Sequence, residues 1–363
     1  MKLCKFCNSS RKKKFEEGKC FLCGDALLSL PEIAENAAKS IPDVSSFSVS
    51  TKIPNEWLVR EESLFDIHLP GSVSIKTLIN RFLTREISKL SKKKFSPDAD
   101  VTLLIDIVSK KTEVKYNDLF VFGRYRKLVP GISQTKWTCK KCSGKGCEYC
   151  NKSGKMYHSV EEEIGSLLKK SCKAEDYTMH ASGREDIDVI NTAGRPFIMQ
   201  LKNAEVRNPD FESLSKKLKK NKKVEVIDFK MARRNDVELV SASHFDKVYR
   251  AVVEFEKDIT DAAIENLLSL KGKTISQKTP KRVRHRRADI VRKRKILDIR
   301  ILSKTGKTVE IEVATEPGTY IKELISGDEE RTEPNFSSIT GIPARCIELK
   351  VTGIRDDFLN IYF

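Results

Sequence analysis

Thr308-Val309-Glu310-Ile311-Glu312-Val313-Ala314 alternates apolar and charged residues with a period of two. Val309, Ile311 and Val313 fall on one face, which predicts a strand with one side buried. Cys346–Val351 repeats the pattern through Ile347, Leu349 and Val351. Working outward, Val224–Phe229, Lys247–Glu256 and Ile296–Leu302 read as further strands. Helices between them are few. Val160–Leu168 opens with Glu161, Glu162 and Glu163, as a helix dipole prefers. Asp258–Leu270 reads as a helix ending at Gly272. Strands interspersed with a few helices predict an α+β fold on mixed or antiparallel sheets, not a doubly wound one.

The amino-terminal half has its own signals. Leu27, Leu28, Leu30, Ile33, Ala34 and Ala37 make the apolar stripe of a helix over 28–45 that Pro42 ends. Ser46–Lys52 alternates like a strand, and Val73–Leu90 has helical spacing at Ile75, Leu78, Ile79, Phe82, Leu83, Ile87 and Leu90. Val101–Ile107 and Leu119–Phe122 read as strands. In Phe122–Leu128, Arg124, Tyr125, Arg126 and Lys127 stand beside an expected turn at Gly123, a mix suited to gripping phosphates and stacking on a base. The domains expected are 1–27, 28–135, 136–156 and 157–363.

Lys and Arg number 68 against 51 acids in 363 residues, a net +17 at pH 7. That surplus points to a polyanionic partner, nucleic acid first. Lys273–Lys295 concentrates it, with eleven basic residues and one acid, Asp289, and predicts a flexible finger that orders on an RNA backbone. Lys216–Lys223 carries six lysines and reads as a phosphate-steering loop. No apolar run is long enough to cross a membrane, and the first residues lack a secretory signal. The expected setting is the cytoplasm, and nothing in the sequence demands more than a monomer.

In such a setting ten cysteines point to metal rather than disulfides. Cys4, Cys7, Cys20 and Cys23 form two Cys-x-x-Cys pairs, the pattern of a closed, structural four-thiolate zinc site. Cys139, Cys142, Cys147 and Cys150 repeat it in a tighter space relieved by Gly144, Gly146 and Gly154. That second set suits one zinc, redox-labile thiols or a flexible linker. Cys172 and Cys346 read as ordinary buried residues.

The remaining chemistry lies in His180-Ala181-Ser182-Gly183-Arg184-Glu185-Asp186-Ile187-Asp188-Val189, followed by Gly194-Arg195-Pro196-Phe197. A polar run with glycine and acids between apolar segments is where a scaffold presents a carboxylate on a loop. The run resembles the catalytic loop of pseudouridine synthases, with Asp186 in the aspartate's place. Four more segments, in order, resemble the tRNA pseudouridine synthases of archaea and eukaryotes that act on the TψC arm. They are Lys247–Val253, Gln277–Val283, His285–Asp289 and Glu316–Leu324. The amino-terminal half resembles that family's zinc module and THUMP-type RNA-binding domain.

The resemblance implies isomerisation of uridine at tRNA position 54, 55 or both, without a catalytic cofactor. It implies Asp186 as nucleophile, with attack on ribose or base left open, and Asp188 as its local rival. Lys322 stands where some relatives carry arginine, and a lysine offers a point charge in place of a fork. Tyr249 and Tyr320 are expected to flank the flipped base, with Arg184, Arg284, Arg286 and Arg287 on the RNA. The competing reading is a non-catalytic zinc-containing tRNA-binding or RNA-chaperone protein.

Overall fold

A computed structural model describes residues 1–9, 11, 14–64 and 73–363, with the side chains of all of these except 285 and 286. The chain forms two compact units. The first is Met1–Leu119 with Cys172–Asp176 and Lys202–Asn208; the second is Phe120–Ser171, Tyr177–Leu201 and Pro209–Phe363. Among the described residues no helix is long and apolar enough to cross a membrane.

The alternating segments assemble the second unit. Its strands are β1 (Leu119–Lys127), β2 (Asp176–Ala181), β3 (Ile190–Lys202), β4 (Val224–Ala232), β5 (Lys247–Phe255), β6 (Thr274–Lys278), β7 (Val291–Thr305), β8 (Thr308–Thr315), β9 (Thr332–Glu333) and β10 (Ala344–Ile354). Among the described residues they form one ten-stranded sheet in the order β4-β1-β3-β10-β5-β8-β7-β6-β9, with β2 beside β3. The β3–β10 pair is parallel, while β4–β1, β10–β5, β5–β8, β8–β7, β7–β6 and β6–β9 are antiparallel. The sheet is therefore mixed and the fold α+β.

Val309, Ile311 and Val313 share the buried face with Ala251 and Val253 of β5 and with Leu349 and Val351 of β10. Helices Asp261–Leu268 and Ile321–Ser326 close the core with Ala263, Leu267, Ile321, Leu324 and Ile325. Each large aliphatic side chain so buried contributes about 1.5–3 kcal/mol. Ile347 departs from the expected alternation and is half exposed. The β5–β10 register shifts between Val252 and Val253, whose partners are Glu348 and Cys346, so Ile347 is the bulged residue. Cys346 is accordingly half-buried rather than buried, whereas Cys172 is fully buried.

Four sequence expectations change. Gly123 makes no turn, because β1 runs straight through it. A Cβ there would stand 2.9 Å from Val226 and 3.0 Å from the Phe197 ring, so glycine admits those side chains. Residues 119–127 also belong to this sheet, not with the segment ending at 135. Lys216–Lys223 is largely the end of helix Phe211–Lys220, which buries Leu214 and Leu218 and turns its lysines outward. Lys273–Lys295 is folded, as β6, a 3-10 helix over Lys281–Arg286, and the start of β7. Val283 is buried, and Arg331 donates to the Thr279 carbonyl at 2.7 Å and pairs with Asp289.

The first unit places Lys94–Phe95, Ser46–Lys52, Val101–Asp106 and Lys111–Tyr116 in one sheet, in that order. Helix Leu30–Ser40 buries Leu30, Ile33, Ala34 and Ala37, and helix Ile75–Ser91 buries Ile75, Ile79, Leu83 and Ile87. Arg11 and Glu61 form an ion pair inside this unit, each side chain 1% exposed. Glu61 also accepts from the Ile75 amide at 2.7 Å, which fixes the start of that helix.

Candidate active site

The run 182–189 connects β2 to β3, and its backbone is held from below. Glu185 meets Arg195 of β3 at 2.7 Å, both side chains 1% exposed. Tyr125 of β1 donates its hydroxyl to the two Glu185 oxygens at 2.8 and 3.0 Å. Gln134 donates at 2.8 Å to both the Tyr125 hydroxyl and the Gly183 carbonyl. The buried Lys127 ammonium donates to the carbonyls of Ile132, Asp186 and Ile187 at 3.0, 3.0 and 2.9 Å. Burial lowers its pKa even so, against the pull of Glu185, Asp188 and Asp186. Tyr125, Arg126 and Lys127, read in the sequence as phosphate-gripping, thus divide differently. Tyr125 and Lys127 brace the loop, and Arg126 pairs with Glu225. Arg124 is held by Asp228 and Asp356 at 2.9 and 2.8 Å.

Above this layer a cavity of 510 Å³ opens. It brings together Arg184, Asp186, Tyr249, Arg287, Tyr320 and Lys322. Asp186 pairs with Arg282 at 2.7 Å and its side chain stays 28% exposed. Arg282 also reaches Glu323, its Nε donating at 2.6 Å, so one guanidinium bridges two carboxylates. Burial disfavours its charge, but Glu323 and Asp186 hold its pKa above the ordinary value. Lys322 pairs instead with Asp188 at 2.5 Å. Burial pushes the Asp188 carboxyl up, and the Lys322 ammonium more than offsets this, leaving it below the usual range. The loop therefore has two acid–cation pairs at the cavity, besides the buried Glu185–Arg195 pair. The fork that a lysine lacks comes from Arg282, beyond β6.

Tyr320 is fixed through its backbone. Gln277 accepts from its amide at 2.9 Å and donates to its carbonyl at 3.0 Å, and Arg287 donates to its hydroxyl at 3.0 Å. Tyr249 enters from β5, and burial pushes its pKa up to about 12, so the phenol is neutral near pH 7. Lys247, two residues earlier, also lines the cavity and donates to the Phe245 carbonyl at 2.8 Å. Burial first, and Arg195 second, push its pKa down to about 8. Arg284 is exposed outside the cavity, and the Arg286 side chain lies outside the described residues.

Arg282, Lys247, Glu185 and Arg195 were not singled out in the sequence. Arg195 carried a signal: a lone arginine between apolar strand residues must meet a buried acid, and Glu185 lies just across the hairpin.

Both cysteine sets cluster, with the four sulfurs of each within 4.8 Å of one another. Sulfur separations of 3.9 and 3.7 Å in the first set and 3.9, 3.8 and 3.7 Å in the second exceed a disulfide bond. They fit a tetrahedron of thiolates about 2.3 Å from one zinc ion, whose edges are about 3.8 Å. The first cluster is fully buried in its unit's core, and the second is only partly buried.

The family described as Pus10, C-terminal, matches residues 120–355, the span that contains the loop, its bracing layer and the cavity. The chain belongs to the Pus10 family. The tRNA pseudouridine synthase Pus10 of Methanothermobacter marburgensis is 40% identical over 351 residues, covering 92% of this chain and 86% of that protein. The tRNA pseudouridine synthase Pus10 of Archaeoglobus fulgidus is 36% identical over 360 residues, 98% of this chain and 100% of that one. Among solved structures, a chain of a Cbf5-Nop10-Gar1 complex is 21% identical, covers 52% of this chain and 43% of its own, and has a TM-score of 0.35. As a Pus10 member the protein is an enzyme, an isomerase of the pseudouridine synthase type.

Proposed function

We propose that the protein converts uridine to pseudouridine in tRNA, at position 54, 55 or both in the TψC arm, with Asp186 as the nucleophile. The supporting observation is one carboxylate set in a cavity between two tyrosines and held by an arginine at 2.7 Å. An attacking carboxylate must be ionised, and the Arg282 guanidinium stands beside it as its counter-charge. In the reaction the C1′–N1 bond breaks and a C1′–C5 bond forms. A proton leaves C5 and N1 gains one. The product is an isomer, so atoms and electrons balance without a cofactor.

A target inside a folded arm must be everted, and aromatic faces stabilise an everted base. Tyr249 and Tyr320 supply those faces. The neutral Tyr249 phenol offers a surface and a hydrogen-bond donor rather than a phenolate base. Arg184, Arg284, Arg286 and Arg287 carry the phosphate contacts. The two cysteine clusters hold structural zinc, and the first unit serves as a THUMP-type RNA-binding domain. The enzyme acts as a cytoplasmic monomer.

The deciding experiment digests an unmodified tRNA transcript to nucleosides after incubation with enzyme and no added cofactor. Wild type should produce pseudouridine and Asp186→Ala none, with tRNA binding intact in both. Turnover by Asp186→Ala would remove Asp186 from the mechanism. Binding without isomerisation by wild type would favour the non-catalytic reading.

A further inference from the structure

Among the described residues the second unit buries two lysines, Lys127 and Lys247, and their ammonium groups are used differently. Lys127 donates to three carbonyls, those of Ile132, Asp186 and Ile187. That saturates its hydrogens. Lys247 is 8% exposed and, among the described residues, its ammonium meets one acceptor, the Phe245 carbonyl at 2.8 Å. Glu185, which lines the same cavity, is already satisfied by Arg195 and Tyr125. Asp246 pairs with Arg355 instead. A buried ammonium with hydrogens left over and no acid of its own is unfavourable unless a ligand answers it. Directly across from it on β8, the Thr315 hydroxyl is buried and has no partner among the described residues. Val313, the next residue on that face, belongs to the apolar core, so this polar pair stands where packing asks for nothing polar.

The cavity wall beside Lys247 is made where the end of β2 meets the segment leading into β5. The Ser182 hydroxyl donates to the Ser243 carbonyl at 2.8 Å, and Arg195 donates to the Ser182 carbonyl at 2.9 Å. Arg184, Ser243 and His244 line the cavity with Lys247. Arg184 and His244 are exposed, and His244 Nδ1 donates to the Ala242 carbonyl at 2.6 Å. This side carries an ammonium, a guanidinium and an imidazole and, with Glu185 satisfied, no open carboxylate. Such a wall suits an anion. Lys247 and Tyr249 both line the cavity from β5. They stand about 6.6 Å apart along the strand, on one face. A nucleotide everted onto Tyr249 brings its own backbone within reach of Lys247.

We infer that Lys247 is a substrate-binding residue, its buried ammonium gripping a phosphate next to the everted uridine while Tyr249 holds the base. The inference rests on the reading of the substrate as tRNA. Arg284 and its exposed neighbours attract RNA of any sequence. Lys247 meets only a strand that has entered the cavity, and away from water it holds an anion more strongly than a surface lysine does. The contact therefore favours the everted backbone over an undistorted one.

The test is a cycle on pseudouridine formation by the full chain. Wild type and Lys247→Met are each given an unmodified tRNA, and the same tRNA carrying a neutral methylphosphonate at one or the other phosphate flanking the target uridine. Lys247→Met should lower kcat/KM by about tenfold or more, the scale of a hydrogen bond to a charged group. One of the two methylphosphonates should cost wild type about as much and the variant less than about twofold, because both changes remove the same contact. Urea denaturation at pH 7 should find the variant no less stable than wild type, since it loses an unpaired buried cation. Lys247→Gln repeats the cycle should the methionine variant fail to fold.

Additive losses would overturn the inference, as would an unchanged kcat/KM. A loss in the variant with no cost from either methylphosphonate would place the ammonium on the base and also overturn it. If wild type binds tRNA without forming pseudouridine, the catalytic reading falls, and the same cycle read on Kd still decides this one.

Discussion

Glu185 and Asp186 are neighbours in sequence and opposites in setting. Glu185 belongs to the layer beneath the loop, where Arg195 and Tyr125 satisfy it away from water. Asp186 belongs to the rim, where one arginine reaches it and part of its surface stays open. The difference shows how a short loop carries a usable charge. The sealed acid spends its hydrogen bonds fixing the backbone, which frees the adjacent acid to face a ligand. Preorganisation of this kind places an accessible carboxylate without leaving a buried charge unanswered.

Four measurements would break or sharpen that contrast. The largest effect is expected from Asp186→Asn. Single-turnover pseudouridine formation should fall by about 10³-fold or more, while the urea midpoint moves by under about 0.5 kcal/mol equivalent. A strongly destabilised variant would place Asp186 with the inner layer instead. Arg195→Met should show the reverse pattern. It leaves Glu185 buried without its cation, and urea denaturation should register a loss of about 3–5 kcal/mol. A loss under about 1 kcal/mol would mean that the lower layer is not a structural anchor.

The third effect depends on pH. Lys247 has its pKa pushed down to about 8 in the fold, against the ordinary lysine value of 10.5. Between those values the unfolded chain binds more protons than the folded one, so stability should rise as pH rises from 8 to 10. The gain from this group is about 2 kcal/mol. Lys127, also lowered by burial, adds in the same sense. Lys247→Met should make the slope shallower, and an unchanged slope would show that Lys247 is solvated. The smallest effect is expected at the rim. Lys322→Met removes a pair whose acid, Asp188, is 66% exposed, and should cost under about 1 kcal/mol of stability. Its effect on turnover should be smaller than that of Arg282→Met. The opposite order would return to Lys322 the role of cation for Asp186.

Much of this was legible beforehand. Alternation at Val309, Ile311 and Val313 marked a strand correctly because a sheet buries one face and strand geometry repeats every two residues. The cysteine pairs were readable because a chelate needs its ligands close in sequence. Lys216–Lys223 misled because charge density says nothing about the apolar positions, Leu214 and Leu218, that dock the helix beneath it. Lys273–Lys295 misled for a similar reason. Its repulsion is relieved by acids from distant segments, Glu323 and Glu329 among them.

The sequence alone determined the α+β class, the two four-cysteine sets and the ordered motifs that converge on one cavity, since each is written in local spacing. Only the tertiary structure decided that Arg282 rather than Lys322 faces Asp186. Only it showed that Tyr125 and Lys127 of β1 hold the loop from below. Pairing among charges depends on which chain segments meet and on what water is excluded between them. Neither is encoded in the neighbours of any one residue.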